Sequence, residues 1–62
     1  MSIDMPLGLG MRLAQDPEAS ENFWRLTPDG RAQIISYVQG GTTGEDAKKR
    51  ITATVANLKN PL

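Results

Sequence analysis

Two short strings, Asp16-Pro17-Glu18 and Thr27-Pro28-Asp29, constrain this chain more than anything else in it, because each is a complete helix-start signal. A side-chain oxygen accepts from the orphan N–H groups of the first turn. The proline that follows has a φ that suits that turn and lacks an N–H that would go unused there. An acid then sits near the positive end of the helix dipole. With the two prolines eleven residues apart, the first helix has to be short and turn sharply into the second. It should run to about Arg25, with Ala19 and Phe23 four apart on its inner face and Leu26 three later.

The helix that Thr27 opens carries Ile34, Ile35 and Val38. Taken alone, IISYV is β-branched and aromatic enough to suggest a strand, but a strand has no use for the cap and proline upstream. Helix is the better reading. Gly40 and Gly41 should end it by accepting the left-handed backbone that terminates many helices. Upstream, Pro6 ends an extended lead-in over residues 1–6. LGLGMRLAQ then places Leu9, Leu13 and, less regularly, Met11 at spacings for a short helix that Gly8 and Gly10 weaken.

In the stretch GGTTGEDAKKRI, Thr43 and Asp46 stand in the arrangement of a capping box, with Thr42 and Glu45 offering the neighbouring register. A last helix therefore begins here. Its apolar stripe is Ala47, Ile51, Val55 and Leu58, and it ends near Lys59, before Asn60 and Pro61. The basic run Lys48-Lys49-Arg50 is preceded by acids: Glu45 lies four before Lys49 and Asp46 four before Arg50, the favourable order for exposed ion pairs. The run thus reads first as a solvated, self-paired flank. Its alternative is a nucleic-acid-binding patch, for which scattered Arg12, Arg25, Arg31 and Lys59 would have to converge on it. A helix-turn-helix built from the last two helices belongs with that alternative, and the GGTTG connection and balanced charge argue against it.

These segments make one all-α domain spanning 1–62, a compact bundle of three to four short helices. Leu9/Leu13, Phe23/Leu26, Ile34/Ile35/Val38 and Ile51/Val55/Leu58 should meet in its core. Sixty-two residues bury a smaller share of their surface than a larger domain does, so stability should be marginal, and self-association would help. No cysteine can form a disulfide and no histidine can ligate a metal, so neither a metal nor any other cofactor is expected. Seven basic and seven acidic residues cancel, giving no overall pull toward nucleic acid or an anionic membrane. The N-terminal stretch has Asp4 where a secretory signal would be basic, and no segment approaches the roughly 20 apolar residues of a membrane span. A soluble cytoplasmic protein is the expectation.

Catalysis has few groups to use. Without His or Cys the nucleophile would be Ser, Thr or Lys, activated by a carboxylate or another lysine, and the sequence shows no grouping arranged for that work. Ser20, Ser36, Thr52 and Thr54 read as ordinary helix-surface residues, and Asp16 and Asp29 are spent on helix starts. Gly8-Leu9-Gly10-Met11-Arg12-Leu13 begins like a dinucleotide fingerprint, but its sixth position is leucine and no strand precedes it. A non-enzymatic chain with no evident small-molecule substrate is expected.

Phe23 and Trp24, being adjacent on a helix, point about 100 degrees apart and cannot share one core. Phe23 has the core spacing, which leaves Trp24 either to cover the core's edge or to anchor a partner; tryptophan is enriched at binding hot spots. Tyr37 is a similar candidate. An unknown protein partner or self-association through Trp24 and Tyr37 is therefore the leading functional reading, with nucleic-acid binding through Lys48, Lys49 and Arg50 behind it.

With the helices placed, the order of features resembles the bacteriocin-protection, YdeI/OmpD-associated family of small helical domains, in a stand-alone version. The similar elements are Pro6, Leu13, Asp16-Pro17-Glu18-Ala19, Phe23, Leu26-Thr27-Pro28, Arg31 and Arg50-Ile51. The resemblance implies a bacterial, all-helical protein and carries over no active site, since caps, prolines and core positions make a scaffold signature. Where family members have Glu-Thr-Arg at the start of the last helix, this chain has Glu45-Asp46-Ala47, so any contact made by that arginine is absent or moved.

Overall fold

A computed structural model of the chain describes residues 5–60, so most of the expected lead-in lies outside the described residues. Four helices follow one another: α1 (Leu7–Gln15), α2 (Pro17–Arg25), α3 (Pro28–Gln39) and α4 (Gly44–Lys59). The helix-start signals work as their chemistry dictates. Asp16 Oδ1 accepts from the Ala19 N–H (3.2 Å), Thr27 Oγ1 from the Gly30 N–H (3.1 Å) and Thr43 Oγ1 from the Asp46 N–H (3.0 Å). Asp16 also ends α1, its own N–H donating to the Leu13 carbonyl at 3.2 Å. One residue therefore closes one helix and opens the next, and α1 passes into α2 without a loop.

The longest helix, α4, packs on each of the other three, and α1 also packs on α2. Between them lie Leu9, Leu13, Ala19, Phe23, Ile35, Val38, Val55 and Leu58, with Leu9 and Phe23 wholly sealed from solvent. Met5, Leu26, Ile34 and Ile51 are partly buried against this cluster. The expected stripes meet in one core, and Thr54 joins them. It is buried rather than on the helix surface, because at about 100° per residue position 54 falls about 40° from Leu58, at the edge of the face that α4 turns inward. The far end of α4 is tied down by two polar contacts: the Asn22 side-chain amide donates to the Leu58 carbonyl (2.6 Å), and Lys59 pairs with Asp16 (3.2 Å).

The two glycines after α3 act differently from the expectation. Among the described residues no glycine has a positive φ, and Gly40 keeps right-handed helical geometry. What they supply is room. A Cβ on Gly41 would stand 2.9 Å from the backbone of Ala47, and one on Gly40 would stand 2.9 Å from the Arg50 guanidinium. Absence of a side chain, rather than left-handed freedom, lets the α3–α4 connection lie against the start of α4.

Asp16 makes acid stability a local question. The Ala19 N–H and, next, Lys59 hold its carboxyl below the ordinary value of 3.8. A carboxylate whose folded pKa is depressed stabilises the fold above its unfolded value, and that contribution is lost as pH falls through the folded value. Thermal melts followed by circular dichroism should therefore show Asp16→Asn less stable than the parent at neutral pH. The two curves should converge below about pH 4. Parallel curves down to strong acid would remove Asp16 from the acid response.

Candidate functional site

The adjacent aromatics of α2 divide as the helical rotation requires. Phe23 is wholly buried, whereas Trp24 is 56% exposed. Its ring meets Phe23 edge to face, centroids 5.1 Å apart, so part of Trp24 roofs the core while the rest faces solvent. Arg31 lies beside it, guanidinium 5.5 Å from the ring centroid. The same side chain reaches across the α2–α3 corner, where Nη1 donates to the carbonyls of Trp24 (3.2 Å) and Leu26 (2.5 Å). Those carbonyls have no helical N–H ahead of them, because Pro28 restarts the chain as a new helix. Arg31 is thus a structural strut and not a free surface cation.

A second arginine repeats the arrangement at the other end of α3. Arg50 lies over the Tyr37 ring at 4.8 Å, donates from Nη1 to the Tyr37 carbonyl (2.7 Å), and pairs through Nε with Asp46 Oδ2 (3.3 Å). Tyr37 keeps 48% of its surface exposed. The Lys48-Lys49-Arg50 run is therefore split: Arg50 turns back onto α3, while Lys48 and Lys49 stay exposed. Of the two expected ion pairs Asp46–Arg50 forms, and no Glu45–Lys49 pair exists among the described residues. The scattered cations do not converge on the run as a group. Arg25 pairs with Glu21 and Lys59 with Asp16, leaving Arg12 as the one that shares a concavity with Lys48.

Tyr37 lines a groove of about 580 Å³ between α2, α3 and α4. Its apolar wall is Leu26, Ile34 and Leu58, and its polar rim is made of the amides Asn22, Gln33 and Asn57. No charged side chain lines it. Trp24 borders a different and smaller hollow of about 360 Å³, beside Met5, Leu13 and Ser20. The two aromatics therefore belong to separate surfaces. Leu26 and Ile34 were expected in the core, and only their partial exposure makes the groove; the spaced amides were the available signal. Among the described residues no group of three or more His, Cys, Asp or Glu could hold a metal ion, and no helix is long and apolar enough to cross a membrane.

The order of caps, first-turn prolines, buried Leu13, Ala19 and Phe23, and two inward arginines extends over almost all of the chain. A family model described as "Bacteriocin-protection, YdeI or OmpD-Associated" (OmdA) matches residues 2–60. The chain belongs to this family. No curated protein and no solved structure matches it. In this OmdA domain Asp16, Pro17, Thr27 and Pro28 start helices, while Arg31 and Arg50 tie helix ends together.

Proposed function

We propose that this OmdA-family protein is a non-enzymatic interaction module, with the Tyr37 groove as its contact face for another protein or a second copy of itself and Trp24 as a separate anchor. The observation that carries this reading is the half-exposed Tyr37 ring in the lining of an apolar, uncharged groove. A tyrosine held against a guanidinium is a rigid contact residue that loses little conformational freedom on binding, and its hydroxyl remains free to pair. An amide rim can satisfy the polar backbone of a bound chain without adding charge. The absence of His and Cys from the sequence supports a non-enzymatic role, as does a groove whose one ionisable side chain is Tyr37.

The nucleic-acid alternative has less support. With Arg50 held by Asp46 and the Tyr37 carbonyl, two lysines remain of the basic run, and no aromatic ring lines the hollow beside them.

A photo-crosslinking residue at Gln33, on the groove rim, should give discrete adducts with a second copy or another protein, whereas the same residue at exposed Glu18 should not. Tyr37→Ala should weaken the association about tenfold, as expected for an aromatic hot spot. Equal background labelling from both positions, together with a strict monomer by light scattering, would overturn the reading.

A further inference from the structure

We propose that a second groove, between α1 and the start of α4, docks an acidic peptide segment: one apolar side chain set on its floor, flanked by carboxylates that meet Arg12 and Lys48. The groove measures about 600 Å³ and shares no lining residue with the Tyr37 groove.

Its floor is made by close backbone approach. Gly8 lies against Ile51, where a Cβ would come within 2.9 Å of that side chain, and Gly41 lies as near to the backbone of Ala47. Val38 and Ile51 supply apolar surface, and Met11, 56% exposed at the edge, supplies a flexible wall that can shape itself to an incoming side chain.

The charged side chains that line this floor have one sign. Arg12 and Lys48 are the charged residues of the lining, and no carboxylate joins them. Neither belongs to an ion pair among the described residues, whereas Arg25, Arg50 and Lys59 each have an acidic partner and Arg31 holds two carbonyls. Arg12 makes one long hydrogen bond, to Thr52 Oγ1 at 3.4 Å. Lys48 lies about one turn inside the N-terminus of α4, where the helix dipole gives a cation no stabilisation, so the fold does not account for its charge. In a chain with zero net charge, two cations that have no ion pair among the described residues, set beside an apolar floor, complement an occupant that is apolar at its centre and negative around it. The apolar floor and the absence of a lining aromatic favour a peptide over a nucleic acid, whose bases would need rings to stack on.

The test is selection from a displayed library of random peptides on the full-length protein, followed by fluorescence anisotropy of the selected peptides. Sequences with Asp or Glu flanking a large apolar residue should dominate. The double variant Arg12→Gln/Lys48→Gln should bind them at least about tenfold more weakly, and added salt should weaken them further. Met11→Glu, which places a like charge on an exposed edge without touching the core, should also abolish binding. Tyr37→Ala should leave it unchanged, which separates this groove from the other. Selection of neutral or basic sequences would overturn the proposal, as would undiminished binding to both groove variants, or tighter binding of single-stranded DNA through the same two cations.

Discussion

Phe23→Ala is expected to leave the chain largely unfolded at room temperature, with most of its far-ultraviolet helical signal lost. Phe23 and Leu9 are the two largest side chains sealed completely from solvent, and Phe23 faces α4, on which all the other helices pack. Truncating a buried phenylalanine costs about 3–5 kcal/mol in lost burial and residual cavity. A chain of 62 residues has, at the usual stability per residue, about 3–9 kcal/mol in total. At the lower end of that range the loss equals or exceeds the whole stability of the fold. Phe23→Leu, which keeps most of the apolar volume, should stay folded with a lower melting midpoint. Trp24→Ala, next door but 56% exposed, should cost far less. A cooperative melt of Phe23→Ala within about 5 °C of the parent would show that the core does not depend on this ring.

The contrast between Phe23 and Trp24 was legible in the sequence because it needs only the angular step of a helix and the positions of Ala19 and Leu26. Helix starts were legible for a similar reason: the cap, the proline and the acid of Asp16-Pro17-Glu18 are neighbours, and each acts on backbone within one turn. Helix ends were not. The Tyr37 carbonyl is answered by Arg50, thirteen residues on, and the Leu26 carbonyl by Arg31 from the following helix. Nothing local distinguishes such arginines from surface cations. Gly40 and Gly41 illustrate the same limit, since a glycine kept for a close approach looks the same in sequence as one kept for a left-handed turn.

Grooves were the least legible feature. Leu26 and Ile34 follow the periodicity of the core and differ from it only in lying where α2, α3 and α4 part. Pairing Arg12 with Lys48 required knowing that α1 lies along the start of α4, a contact between segments thirty-six residues apart.

Arg31→Ala should destabilise the protein by about 2 kcal/mol, enough to lower the melting midpoint by about 10 °C in a domain of this size. Hydrogen bonds from a charged donor are worth about 1.5–3 kcal/mol, and here one Nη1 serves two carbonyls at the α2–α3 corner. Its position beside the Trp24 ring adds about 0.5–1 kcal/mol at an exposed site. Against this stands the Arg31 Nε, buried without a partner, whose desolvation lowers the net contribution below the sum of the contacts. The offset is also why lysine should rescue only in part. An ammonium lacks the buried Nε, but it is a more strongly hydrated point charge without the planar fork that holds both carbonyls beside the ring. Tryptophan fluorescence supplies the local readout, since Trp24 is the chain's single tryptophan. Its emission should shift in Arg31→Ala at temperatures where the helical signal is still native, because the corner loosens before the core is lost. If midpoint and emission are both unchanged, water replaces the guanidinium at those carbonyls without cost, and Arg31 is no strut.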